Sequence, residues 1–334
     1  MNLIEEIEQW KDKKVLIIGE ALVDLYLYGR AETISPDAPV PCVKVDKRGA
    51  FLGGIGRVIK YVKSLGGLPV VCTIVGDDFE GNFFIKKMIE LDISVSGIVV
   101  DKDIKTPQIT KIKARNQHLL RLETDYTSDI QKSTIQKLFD VIKTASQKND
   151  IDSIIILDYG IGELFTDQFI QRLLIILKEH YPNIPIIARP NLSNYYIYEE
   201  IDLIKINLQK ALEVFLIDCC TDTSVSIAGK KIINSSKSKN VLLSFLESDS
   251  YLFNKNSERM EKFNPILEDK IRSYVAVGSV IMATLGLSYA SKIPISDSVK
   301  ISMYSAALTA SLPPVNFYNP ERLKNFISSK QHKK

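Results

Sequence analysis

The sequence predicts an α/β fold: a mainly parallel sheet covered by helices on both faces. Two observations carry the prediction. Short apolar runs rich in β-branched residues recur along the chain, and helix-length segments separate most of them. The first run, Lys14–Gly19 (KVLIIG), is apolar at successive positions and ends in glycine, as a strand buried on both faces does. Val70–Gly76, Ser153–Leu157, Ile184–Ala188, Leu203–Ile206 (LIKI) and Val241–Phe245 repeat the pattern. Helices are expected over Gly56–Leu65, Phe79–Leu91, Thr134–Lys148 and Asp167–Tyr181. Leu3, Ile4, Ile7 and Trp10 share one helical face before the first strand. Arg272–Ala283 (RSYVAVGSVIMA) reads as a small-residue turn running into an apolar helix, and from Gly286 onward the chain reads as helical, with Ser296 as the cap of a helix reaching about Leu312.

Two regions break the alternation. Tyr26–Val45, which contains the proline-rich ISPDAPVP, and Gln108–Glu123 read as strands and turns. They are expected to form a small sheet projecting from the main body, from segments at about 25–50 and 105–124. With no repeat or low-complexity linker, residues 1–334 read as a single domain.

Composition narrows the class. The chain has 334 residues, 45% hydrophobic and 25% charged, and a formal net charge of +3, which fits an ordinary globular protein with a large core. The basic run at Lys330–Lys334 reads as a solvated tail, so no nucleic-acid partner is expected. The acidic residues in MNLIEEIEQWKDKK are unlike a signal peptide, and no segment has the apolar length of a membrane span. Cys42, Cys72, Cys219 and Cys220 lack metal-ligand spacing, and His118, His180 and His332 are far apart. Reduced thiols, a cytoplasmic location and no metal centre of its own are the expectation.

The motifs that carry chemistry are Gly19–Asp24 (GEALVD), Ile34–Pro41 (ISPDAPVP), Gly53-Gly54, Arg115-Asn116-Gln117 and Asp158-Tyr159. An aspartate just beyond a buried strand can accept hydrogen bonds from sugar hydroxyls, or simply close a turn. A Gly-Gly turn lets backbone approach a ligand, or simply breaks a loop. In this order the motifs resemble the PfkB (ribokinase-like) carbohydrate kinases over about Lys14–Pro314. ISPDAPVPCVKV and RNQHLLRLE bring the chain nearest the heptose-7-phosphate kinase branch. The resemblance implies a three-layer α/β/α sandwich with a β-strand lid that serves as a dimer interface. The sugar would lie between lid and strand ends, beside a nucleotide groove. It assigns Asp24, Gly53, Gly54 and Gln117 to the sugar side. Arg57 stands where the family's Gly-Gly-x-x-Asn pattern has asparagine, and its permanent charge either favours a phosphorylated or acidic ligand or pairs on the surface.

The nucleotide side departs from the family pattern. Its Asp-Pro-Lys turn is here Arg189-Pro190-Asn191, and its Asn-x-x-Glu motif is Asn207-Leu208-Gln209-Lys210. Its Thr-x-x-x-x-Gly turn is Ser244–Asp249, and its Asp-Tyr-x-Lys-Gly loop has Ile161 for lysine within Asp158–Gly162. Its Gly-Ala-Gly-Asp anion hole is Ala276-Val277-Gly278-Ser279. Ser279 thus occupies the general-base position, and a serine hydroxyl does not act as a base near neutral pH without an activating neighbour. Ala276 is expected to exclude the backbone angles that glycine allows. Asp158, Asn207 and Gly278 remain as nucleotide-side candidates, with no catalytic residue assigned. Two readings follow: a degenerate homologue keeping a sugar or sugar-phosphate pocket and a dimer lid, or a divergent active kinase using ATP and Mg²⁺.

Overall fold

Successive residues of the first strand point to opposite sides of the sheet, and both sides are buried, which is why the strand is apolar at every turn of the pleat. The computed structural model describes residues 2–331 apart from 116, 125–129, 149, 162–163, 218–219, 258 and 267–270. The chain runs through α1 (Leu3–Glu8), β1 (Lys14–Gly19), β2 (Ala21–Ile34), β3 (Pro41–Gly54), α2 (Ile55–Ser64), β4 (Leu68–Gly76), α3 (Phe79–Glu90) and β5 (Ile98–Asp101). Then come β6 (Gln108–Ala114), β7 (Gln117–Thr124), α4 (Lys132–Lys148), β8 (Ser153–Leu157), α5 (Asp167–His180), β9 (Ile186–Arg189), β10 (Leu203–Asn207) and α6 (Leu208–Val214). The last third holds α7 (Asp222–Ser236), β11 (Asn240–Ser244), β12 (Ser250–Asn254), β13 (Glu261–Phe263), α8 (Val277–Ala290), α9 (Ile295–Ser311) and α10 (Pro320–Gln331).

Among the described residues, nine strands form the main sheet in the order β13-β12-β11-β10-β9-β8-β1-β4-β5. Its strands are parallel except for the antiparallel edge made by β12 and β13. One face, with Val15, Ile17, Ile155 and Leu203, packs against α1, α2, α3, α8, α9 and α10. The other, with Leu16, Ile18, Ile154 and Ile204, packs against α4, α5, α6 and α7. Each such side chain contributes about 1.5–3 kcal/mol by leaving water. The result is the ribokinase-like three-layer sandwich that the sequence predicts.

The second sheet has the order β3-β2-β6-β7. Its inner end is buried at Ala21–Asp24 and Leu52–Gly54, and its outer end is exposed. ISPDAPVP forms the turn at the tip, closed by the Ser35 N–H donating to the Val40 carbonyl. Gly53-Gly54 is therefore not a free turn but the last two residues of β3, leading directly into α2. A Cβ on Gly53 would sit 2.7 Å from an Asp24 carboxylate oxygen, and Gly54 has φ +49° and ψ −130°.

α8 starts at Val277, where the small-residue turn of RSYVAVGSVIMA runs into its apolar helix as the sequence indicates. Two local expectations change. Ser296 is not a cap: Pro294 holds the N-cap position, and the Ser296 hydroxyl, inside the first turn, donates to Glu261 at 2.5 Å. Ala276 does not exclude the glycine-like backbone but adopts it, with φ +70° at the N-cap of α8, a conformation that costs an L-residue about 1–2 kcal/mol. Among the described residues no helix is long and apolar enough to cross a membrane.

Gly54→Ala combines a disallowed backbone with a Cβ 2.5 Å from the Glu20 carbonyl oxygen. It should lower unfolding free energy by about 2 kcal/mol or more in denaturant titration, whereas Gly278→Ala, where a Cβ meets open space, should have a far smaller effect.

Candidate functional site

The end of β1 and the start of β2 place Asp24 beneath the small sheet, fully buried. A lone buried carboxylate is costly, and this one is doubly compensated. Arg57 of α2 donates from Nη2 to Oδ2, and Lys111 of β6 donates from Nζ to Oδ1 at 2.7 Å. Lys111 also donates to the Tyr26 hydroxyl at 3.2 Å and lies 4.9 Å above its ring. The surface-pairing alternative for Arg57 is excluded, since the guanidinium is directed inward and its Nε is buried with no hydrogen-bond partner.

Asp24, Gly54, Arg57 and Lys111 line a cavity of about 340 Å³ between the small sheet and the ends of the central strands. Arg121, Glu123, Tyr159, Gly160, Ile161 and Arg189 are also among its lining residues. Arg121 pairs with Glu123, so four cationic side chains face two carboxylates here. The Arg189 guanidinium stacks 4.5 Å above the Tyr159 ring and donates to the Asp158 carbonyl at 3.1 Å. A cavity with this excess of positive charge and several fixed donors suits a polyhydroxylated anion.

Glu20 lies behind the wall, fully buried. Its Oε2 accepts the N–H groups of Tyr159 at 2.8 Å and Ile161 at 3.3 Å, while Oε1 has no partner. Burial, and then the neighbouring Asp158 charge, push its carboxyl up to about 8. Near neutral pH Glu20 is a protonated acid that holds the 159–161 loop.

The other sequence candidates fall elsewhere. Gln117 starts β7 at the exposed outer end of the small sheet, away from the cavity. Arg115 beside it is exposed, and Asn116 lies outside the described residues, as do Gly162, Cys219 and His332. The Asp158 carboxylate accepts the Gly160 N–H at 2.9 Å and the Tyr198 hydroxyl at 3.0 Å, on the opposite face of the sheet from Tyr159. Burial raises its pKa. Asn207 caps α6 by accepting the Lys210 N–H at 3.1 Å, and the Lys210 ammonium pairs with Glu213.

At the α8 start, Ser279 is buried beside the Tyr159 phenol, which donates to the Gly54 carbonyl at 3.1 Å. Burial raises the Tyr159 pKa, so the phenol is no proton acceptor for Ser279 near neutral pH. A Cβ on Gly278 would meet open space, so the first turn of α8 is accessible. Near the Ser244–Asp249 turn, the gap between β11, α8 and α9 is a void of about 20 Å³, room for one water, lined by Phe245, Ile281 and Met303 among others. Mg²⁺ takes carboxylate and carbonyl oxygens. At and just after the ends of β9 and β10 the chain has Arg189, Lys205 and Lys210 but no carboxylate, and the Asn191 and Asn207 amide oxygens already accept the Ser193 and Lys210 N–H groups, a set that does not fit it.

Lys111 and Arg121 on the cavity wall, Glu20 behind it and the buried Lys205 are not among the candidates that the sequence offers. Lys205 had a legible signal, a lysine inside an apolar strand. Lys111 and Arg121 had none, because only the pairing of β2, β6 and β7 brings Lys111 to Asp24 and Arg121 to the cavity wall.

The nine-stranded sheet, the small sheet over its strand ends and the cavity between them are those of a sugar kinase fold. The pfkB family carbohydrate kinase model matches residues 12–322, and the chain belongs to that family. Curated relatives include the bifunctional protein HldE of Helicobacter pylori (strain HPAG1), 29% identical over 299 residues, covering 89% of this chain and 62% of the relative. The HldE of Syntrophotalea carbinolica is 24% identical over 322 residues, covering 96% of this chain and 64% of the relative. The chain thus spans a little over three fifths of the length of these relatives. Both agree with the heptose-kinase branch to which the sequence motifs point. Among solved structures, phosphofructokinase-2 from Escherichia coli in complex with substrates and products superposes with a TM-score of 0.77 at 15% identity, covering 96% of this chain and 99% of that one. Arabidopsis thaliana ribokinase complexed with ribose and ATP gives 0.74 at 10% identity, covering 95% and 99%.

The Glu20 carboxyl is protonated in the fold between about pH 4.5 and about 8, where the unfolded chain has released that proton. Its contribution is therefore complete below pH 4.5 and is lost as pH rises toward 8. Lys205, lowered to about 7 from 10.5, acts in the opposite sense at higher pH. Between pH 5 and 7 the stability of Glu20→Gln should thus fall less with pH than that of the wild type, by a few kcal/mol across the window, measured by urea titration.

Proposed function

We propose that the chain is a single ribokinase-like unit of the heptose-phosphate-kinase type that binds a sugar phosphate and has lost phosphoryl transfer. The observation that carries the reading is the charge of the cavity: Arg57, Lys111, Arg121 and Arg189 converge on a space whose only facing carboxylates among the described residues are Asp24 and Glu123. Asp24 is already engaged by two cations, so it presents lone pairs to sugar hydroxyls while the surplus charge attracts the phosphate.

Loss of transfer is supported by the far side of the site. Phosphoryl transfer needs a positioned base and compensation for phosphate charge. Ser279 has a phenol rather than a carboxylate beside it, and the void by the Ser244–Asp249 turn is far smaller than a nucleobase. One observation favours the second reading, an active kinase with a divergent site: the open space at Gly278 lets the Gly278 and Ser279 N–H groups of the α8 first turn meet a phosphate, while the Val277 N–H donates to the Tyr274 carbonyl.

The small sheet is proposed to pair two copies of the chain. Ile34, Val40, Val45, Leu120 and Leu122 are large apolar side chains exposed on it. Such side chains grouped on one projecting element mark an interaction surface.

Calorimetric titration separates the readings. Heptose 7-phosphate should bind at least about tenfold more tightly than the unphosphorylated heptose, and Mg-ATP should give no saturable heat and no transfer. Micromolar Mg-ATP binding accompanied by phosphate transfer would establish the active kinase instead. For the lid, light scattering should show a dimer for the wild type and a monomer for Leu120→Glu/Leu122→Glu; a dimer in both would remove this interface.

A further inference from the structure

The parallel strands β8, β9 and β10 end side by side, and strand parity decides which of their last residues share a face. Ile155 and Leu157 of β8, Ile187 of β9 and Leu203 of β10 pack in the cluster that includes α8. Tyr159, Arg189 and Lys205, each two residues further on, therefore face the α8 side as well. Leu203 pairs with Ile187 and Ile204 with Ala188, so the same register sets Lys205 beside Arg189, one interstrand spacing away.

Two cations are thus adjacent on the α8 face of the sheet, and the Tyr159 ring under the Arg189 guanidinium adjoins Ser279 in the first turn of that 14-residue helix. Lys205 is 5% exposed and has no hydrogen-bond or ion-pair partner among the described residues. Arg189 has the Asp158 carbonyl and the Tyr159 ring but no carboxylate. Uncompensated buried cations are costly and acquire a counter-charge where one can reach them. Here Arg189 lines the cavity wall, the register sets Lys205 beside it, and a Cβ on Gly278 in the α8 first turn would meet open space.

We propose that Lys205 and Arg189, together with the Gly278 and Ser279 N–H groups in the first turn of α8, form a site for a phosphate group that binds without a divalent cation. The inference rests on the family reading above and deepens it: at the strand ends where the resemblance implies acids and Mg²⁺, this chain supplies the positive charge from its own side chains. Burial, and then Arg189, hold the Lys205 ammonium down to about 7, so an arriving phosphate meets a lysine that readily takes up or keeps a proton. The two charges and the helix end are all donors, with no oxygen ligand for a metal among them.

The test titrates inorganic phosphate in EDTA and again in excess Mg²⁺, following heat and thermal shift, for wild type and Lys205→Met. Met keeps the length and apolar stem of the side chain in its buried setting. Expected are saturable phosphate binding to wild type in EDTA, no tightening by Mg²⁺, and at least about tenfold weaker binding to Lys205→Met. Binding that appears only with Mg²⁺, no binding at all, or equal affinity in both proteins overturns the inference. The Mg²⁺ comparison needs only wild type, so it decides even if the variant fails to fold. Heptose 7-phosphate distinguishes the two readings. Equal affinity for wild type and Lys205→Met overturns this inference and leaves the sugar-phosphate cavity standing. Lys205-dependent phosphate binding, with no preference for the sugar phosphate over phosphate itself, supports this inference and removes the cavity reading.

Discussion

One buried carboxylate, held by two cations, ties the small sheet to the body of the molecule. Asp24 comes from β2, Arg57 from α2 and Lys111 from β6, so the three ends meet at a single charge cluster. The cluster would be unstable in pieces, because any one of these groups left alone in the interior would bear the full cost of desolvation. The packing around it follows: Gly53 has no side chain where Asp24 passes, and Gly54 takes a backbone conformation that carries the chain from β3 directly into α2. Since one acid faces two bases, the cluster also leaves net positive charge on the cavity wall.

The same electrostatic sign continues across the strand ends. In a parallel sheet, neighbouring residues paired in register point the same way, so substitutions on adjacent strands act together. Arg189 and Lys205 are such neighbours, and they turn the α8 side of the sheet cationic. Asp158, one residue before Tyr159, is sent to the other face, where its carboxylate organises the loop and Tyr198. Glu20 under the 159–161 loop is the remaining nearby acid, and its burial keeps it protonated near neutral pH. The site therefore holds phosphate-compatible donors where a metal-dependent enzyme needs oxygen ligands.

Much of the fold was legible, and unevenly so. β1 and β8 begin and end where their apolar runs do, since burial on both faces leaves no polar position to blur the boundaries. β5, β12 and β13, short or at the sheet edge, carry too little pattern to stand out. α8, apolar on all sides, shows no amphipathic period and is legible instead from the small-residue turn that runs into it. In the site, Asp24, Gly54 and Arg57 could be picked out because they lie within local motifs. Lys111 could not, because 87 residues separate it from Asp24 and only the pairing of β2 with β6 joins them. Asp158 and Gln117 were legible as motif residues, yet the face of the sheet and the position along the hairpin decide where they lie.

By itself the sequence determined the layer architecture, the family and the loss of acids from the nucleotide motifs, because these depend on local periodicity and on residue identity at short spacings. Only the tertiary structure decided which charges meet. It turned Arg57 inward onto Asp24, set Lys205 against Arg189, and held Ala276 in the left-handed conformation that the sequence comparison reserves for glycine. Those outcomes depend on long-range register and on the cost of burying charge, neither of which any short stretch of sequence contains.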